Sequence, residues 1–92
     1  MLYKLIFTKS ATEEWHKLAP DLREQFTVKL LERLKNPRVT NATLHEMKDC
    51  YKIKLRAAKY RLVYRVVDHQ LIVEVIAVGK RDGIYISANE RL

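Results

Sequence analysis

At 92 residues, 48% of them hydrophobic, the chain is long enough for one domain with a modest core and too short for two. Its one cysteine, Cys50, excludes an intramolecular disulfide and fits a reducing compartment, and no apolar run reaches the length of a membrane span. The net charge of +7 sits mostly in residues 48–81, with nine Lys/Arg against three Asp/Glu, and such a field points to a polyanionic partner, nucleic acid being the commonest.

Residues 2–7, "LYKLIF", are rich in aromatic and branched side chains and read as a strand. Lys4 interrupts the run and no small-residue cleavage site follows, which argues against a signal peptide and for a soluble cytoplasmic protein. Ser10 with Glu13 makes a capping-box pattern for a helix whose apolar face is Ala11, Trp15 and Leu18. Pro20 stops that helix. Asp21 with Glu24 repeats the capping pattern for a longer one, striped by Leu22, Phe26, Leu30 and Leu34 and widened by Val28 and Leu31. Asn36-Pro37 ends it, and the short turn between the two helices predicts an antiparallel hairpin. Trp15 and Phe26 are expected as core anchors.

Residues 37–49 show no period and read as a connecting loop. Three strand-like runs follow, 50–56, 60–67 and 71–79, separated by "AAK" and "DHQ", short enough for hairpins. The order β-α-α-β-β-β predicts an α+β fold: a mainly antiparallel sheet with the helical hairpin packed on one face, all in a single domain over residues 1–92. The tail after Arg81 carries no decisive pattern.

Alternation decides who occupies the other face. Tyr51, Ile53 and Leu55 point one way along the first run, and Cys50, Lys52, Lys54 and Arg56 the other. In the second run Tyr60, Leu62, Tyr64 and Val66 share a face opposite Arg61, Val63 and Arg65. A one-residue slip would bury arginines, so the register is constrained. The apolar sets pair, and Lys52, Lys54, Arg56, Arg61 and Arg65 converge on one sheet surface.

A solvated polar face is the plain alternative, yet such faces usually mix signs because like charges across strands destabilise. Simple nucleic-acid binding through phosphates is a second reading. A third is catalysis on RNA, whose 2′-hydroxyl is a built-in nucleophile. That chemistry needs a proton acceptor, a stabiliser for the charged transition state and a donor for the leaving oxygen. His16, His45 and His69 are too dispersed to make the usual pair. A lysine crowded by like charges holds its proton less tightly and can serve as base, while arginines suit phosphate through bidentate donors. Such machinery would gain greatly from a scaffold that holds the RNA already bent for in-line attack. No Cys/His set has metal-ligand spacing and there is no glycine-rich phosphate loop, so neither metal nor cofactor is expected. Cys50 has no positioned histidine and reads as a small packing residue.

The motif "DCYKIKLR…YRLVYRV" followed by "VGKR", with "EEWHKL" and "KLLERL.NPR" upstream, resembles the RelE toxins of bacterial type II toxin–antitoxin pairs over residues 1 to about 81. The resemblance implies a small microbial-ribonuclease-like fold and ribosome-dependent cleavage of mRNA in the A site of the 70S ribosome. By the same resemblance Lys52 and Lys54 lie near the attacking hydroxyl, with Lys54 the better general base. Arg61 stabilises the transition-state phosphate, Arg81 assists the leaving 5′ oxygen, and Tyr85 in "RDGIY" is the candidate for a base-stacking tyrosine, at a shorter spacing than the family pattern. Arg56, Lys59, Arg65 and Lys80 are candidates for RNA and ribosome contacts, though Lys59, at a hairpin tip, fits a solvated role equally. The resemblance also implies a RelB-like antitoxin, with operator DNA reached only through the antitoxin complex, and no membrane. The competing class is a ParE-like, non-enzymatic gyrase inhibitor.

Overall fold

The computed structural model describes residues 2–55 and 58–92. In chain order these form β1 (Lys4–Phe7), α1 (Lys9–Lys17), α2 (Pro20–Lys35), β2 (Cys50–Lys54), β3 (Tyr60–Val67), β4 (Ile72–Lys80) and α3 (Arg81–Arg91). The strands make one four-stranded sheet in the order β1-β4-β3-β2. Only β1–β4 is parallel; β2–β3 and β3–β4 are antiparallel. The expected α+β architecture is what forms, with a third helix that the tail's pattern had not declared.

The helix boundaries differ from the sequence reading in instructive ways. Thr8, not Ser10, caps α1: its Oγ1 accepts the Ala11 N–H at 3.1 Å. Pro20 opens α2 instead of stopping α1, which already ends at Lys17, and no side chain caps the start. A proline at the first helical position sacrifices no intrahelical hydrogen bond, so it displaces the Asp21 cap. On α2, Phe26 and Leu30 are buried and Leu22 and Leu34 pack beside them. Val28 and Leu31 are more than half exposed and do not widen the seam. At about 100° per residue both sit well off the line through Phe26 and Leu30.

One face of the sheet packs on this helical pair. Ala11, Leu18, Phe26 and Leu30 meet the inward set led by Ile53, Leu62 and Tyr64. Trp15 stands edge-on to Phe7 at 5.2 Å between ring centroids and lies 6.4 Å from Phe26, tying α1, α2 and β1. The loop before β2 is stitched by Arg38, which donates to Asp68 at 2.7 Å, to Asp49 at 3.1 Å and to the Tyr51 hydroxyl at 3.3 Å.

The opposite face holds a second, smaller core. Between Val63↔Ala77 and Tyr64↔Val75 the β3–β4 register shifts by one residue, leaving Ile76 as the extra residue of a β-bulge. Val75 and Val78 therefore face the helical pair, while Ile76 and Ala77 both turn to the other side. There they join Met47, Cys50 and Val63 beneath Ile84 and Ala88, one helical turn apart on α3.

A salt bridge finishes that docking. Arg91 reaches both carboxylate oxygens of Glu14 at 2.9 Å and the Ile76 carbonyl at 2.9 Å, and Glu14 also accepts the Val78 N–H at 3.1 Å. Burial would push the Glu14 carboxyl up; the Arg91 and Val78 hydrogen bonds outweigh it and hold the group below the usual carboxylate range. The pair also occupies the edge of β4 beyond the end of β1, an edge that would otherwise invite strand addition. Among the described residues no helix is long and apolar enough to cross a membrane.

Candidate active site

The β2–β3 register puts Lys54 directly opposite Arg61 and Lys52 opposite Val63. Cys50 spends its N–H on Met47 and its carbonyl on Leu44, so the even-numbered residues of β2 turn their backbone groups away from β3. Lys54 and Arg61 are thus a non-hydrogen-bonded pair, the kind whose side chains come closest, with Cβ atoms about 5 Å apart. Two cations at such a position destabilise the sheet, and among the described residues no carboxylate is bonded to either one. Stability alone would not select this pair.

β4 completes the row. Gly79 lies opposite Arg61 on its other side and adds no side chain of its own there. A Cβ at Gly79 would meet the Ile84 side chain at 3.5 Å, an ordinary contact. Two residues later Arg81 opens α3, its N–H bonded to the Lys59 carbonyl at 2.8 Å. The Arg81 guanidinium lies 3.8 Å from Asp82 in a pair open to solvent, which ties it down little. α3 has no capping side chain at its start, and the positive end of its dipole adds to the field there. Tyr85 is one turn after Arg81 on the same helical face and packs partly buried against the cluster of Val63 and Ala77. The Arg61 guanidinium rests on the Tyr60 carbonyl at 2.9 Å.

The structure therefore gathers Lys52, Lys54, Arg61, Arg81 and Tyr85 around one end of one sheet face. Lys59 and Lys80, both exposed, lie at the same end of the sheet. Arg56 lies outside the described residues. Arg65 is elsewhere: it stands opposite Cys50 and Glu74 toward the other end, and it donates to Glu74 at 2.6 Å. It is paired, partly exposed, with the one acid of β4. Among the described residues no group of three His, Cys, Asp or Glu side chains is placed to hold a metal ion.

Cys50 is fully buried under α3, as expected of a packing residue. Burial pushes its thiol up to about 11, against the pull of Arg65. At pH 8 that leaves so little thiolate that native Cys50 should react with iodoacetamide at least ~100-fold more slowly than the unfolded chain. Mass-spectrometric alkylation time courses with and without denaturant check this.

Sequence reasoning passed over two residues that shape the site from a distance, Glu14 and Arg33. Arg33 had left a trace, for it falls seven residues after Phe26 and three after Leu30, on the apolar seam of α2. Its guanidinium donates to the Lys52 carbonyl at 3.2 Å and to the Tyr64 hydroxyl at 2.8 Å.

Comparison with known proteins places the chain among toxins of type II toxin–antitoxin systems. A family model described as the ParE toxin of the type II toxin–antitoxin system parDE matches residues 5–85. The mRNA interferase toxin RelE of Escherichia coli K12 is 48% identical over all of this chain and 99% of its own length, and the mRNA interferase RelE of Shigella flexneri matches equally. Among solved structures, an arginine-substituted variant of the E. coli toxin RelE in the free state superposes with a TM-score of 0.93 at 47% identity, covering 100% of this chain and 99% of that one. The intact E. coli RelBE toxin–antitoxin complex matches with a TM-score of 0.83 at 51% identity over 85% of this chain and 95% of the matched one.

Proposed function

Because this chain belongs to the RelE/ParE family of type II toxins, we propose that it is an mRNA interferase, a ribosome-dependent endoribonuclease that cuts mRNA in the A site and is held in check by a RelB-type antitoxin. The observation that carries the reading is the register of Lys54 against Arg61. Two cations at closest approach, with no carboxylate bonded to either among the described residues, suit a phosphate diester whose transition state gains negative charge.

In the proposed reaction the 2′-hydroxyl attacks the adjacent phosphorus. Its proton passes to Lys54, with Lys52 one pleat away on the same strand face. Arg61 swings from the Tyr60 carbonyl to the non-bridging oxygens, where a guanidinium donates two parallel hydrogen bonds. The P–O5′ bond breaks as Arg81 donates a proton or stabilises the charge on the leaving oxygen, giving a cyclic phosphate and a 5′-hydroxyl. Tyr85 offers a ring on which a base stacks. Lys59, Lys80 and Arg56 supply neighbouring phosphate contacts. The ribosome supplies orientation, which can be worth roughly 7 kcal/mol or more of the barrier. Operator DNA is met only through the antitoxin complex, in the cytoplasm.

Purified toxin incubated with mRNA, with and without programmed 70S ribosomes, tests the reading directly. Cuts confined to ribosome-bound message at A-site codons are expected. A folded sample that cuts in neither condition would select the ParE-like gyrase inhibitor instead.

A further inference from the structure

We infer that Arg33 is a positioning residue for the reaction, acting through the lysine-bearing strand and never touching RNA; this rests on the assignment of Lys54 above. β2 lies at the edge of the sheet, paired over five residues with β3 and on its outer side only by an isolated bridge from Tyr51 to Thr43. Its Cys50 end is fixed by backbone bonds to Met47 and Leu44. Farther along, beyond that bridge, the outer edge opens on a groove of about 580 Å³ that Lys29, Glu32, Asn41, Ala42, Lys52 and Lys54 help to line.

Arg33 spans that gap. One guanidinium nitrogen donates both to the Lys52 carbonyl at 3.2 Å and to the Tyr64 hydroxyl at 2.8 Å. Among the described residues this is the one hydrogen bond between α2 and β2. Tyr64 is itself immobilised. It is fully buried on β3, donates to the Pro37 carbonyl at 2.6 Å, stacks on Tyr51 at 5.7 Å and lies 5.7 Å beneath the Arg33 guanidinium carbon. A single cation therefore ties the β2 backbone at Lys52 to a rigid point on β3. Lys54 is the next residue on that strand face, and its partner Arg61 stands on β3. The clamp sets the separation of the two groups that must meet one phosphate.

A merely structural Arg33 would bury its stem, satisfy one carbonyl and affect melting alone. Positioning makes a different demand, because displacement of a reacting group by an ångström is felt in the chemical step. The test is single-turnover cleavage on programmed ribosomes at saturating toxin, comparing wild type, Arg33→Met and Arg33→Lys, each also combined with Lys54→Ala. Arg33→Met is expected to lower kcat about tenfold with an unchanged KM for ribosomes. Arg33→Lys, which keeps the charge and one donor, should recover part of the loss and remains informative if the methionine variant folds poorly. In the Lys54→Ala background Arg33→Met should cost nothing further, because the group it positions is gone. Wild-type kcat in Arg33→Met, or the same fold-loss in both backgrounds, would overturn the inference. If Lys54→Ala alone cleaves normally, it is the assignment of the lysine that falls.

Discussion

Arg61→Ala should abolish nearly all cleavage while leaving ribosome association almost intact. Arg61 stands between Lys54 and Gly79, with no carboxylate bonded to it among the described residues and its guanidinium on a backbone carbonyl that it can leave. Loss of one preorganised donor set aimed at a developing oxyanion typically costs 10²–10³-fold, so a drop in kcat of about that size is expected. Association spread over many phosphate contacts loses little when one cation is removed, so it should change far less. Arg61→Lys keeps the charge but not the planar fork, and should regain only a small part of the rate. Single-turnover cleavage at saturating toxin, paired with ribosome co-sedimentation, separates the two effects. Wild-type rates in Arg61→Lys would reduce the residue to a point charge for phosphate attraction. Equal losses of binding and rate would remove its special role in the transition state.

That expectation was within reach of the sequence because a period of two is rigid. Once Tyr51, Ile53, Leu62 and Tyr64 are assigned to the core, Lys52, Lys54 and Arg61 have no choice of face, and the structure follows that alternation through β2 and β3. Alternation fails at Ile76, where the bulge turns two successive residues to the same side. Nothing in "VEVIAVGK" announces an unpaired residue, since Ile76 and Ala77 are as apolar as their neighbours; what selects it is the apolar seat that α3 requires. The basic face is for that reason not one open surface. Its centre is roofed by Ile84 and Ala88, which separates Lys54 and Arg61 at one end from Arg65, paired with Glu74, toward the other.

Long-range ion pairs were equally hidden. Arg65 shares the strand parity of Arg61, and only the β3–β4 register shows that Glu74 lies beside one and Gly79 beside the other. The partnership of Glu14 with Arg91 joins residues at opposite ends of the chain, and neither has a local pattern that names the other. The tail was unreadable as a helix because Gly83 weakens the pattern early and the apolar positions that matter, Ile84 and Ala88, are only two. Their spacing of four was the available sign. At the helix starts the competition was local: two capping boxes were written in the sequence, and Thr8 and Pro20 each lay nearer to where the backbone bends.

Ala88→Asp should detach α3 and with it the activity, while the larger core stays folded. Ala88 is fully buried in an apolar seat among Cys50, Val63 and Ala77. An unpaired charge in such a seat costs several kcal/mol, on the order of 3–5 when a partner is missing. α3 rests on Ile84, Ala88 and the Arg91–Glu14 pair, a hold small enough that undocking the helix relieves the charge more cheaply than unfolding the sheet. Tyr85 then leaves the site, and Arg81 remains near Lys59 only through the chain. Cleavage should fall at least ~100-fold, in keeping with lost orientation of the substrate and of the leaving-group partner. Two independent signals report the rest of the molecule. Trp15 lies in the other core, against Phe7 and Phe26, so its fluorescence should be unchanged. Cys50, stripped of its cover, should become open to iodoacetamide under native conditions. A red shift of Trp15 in parallel with the loss of cleavage would mean that the two cores fold as one unit. Full cleavage by a variant whose Cys50 is labelled would make α3 and Tyr85 dispensable, and leave the chemistry to Lys54, Arg61 and Arg81 alone.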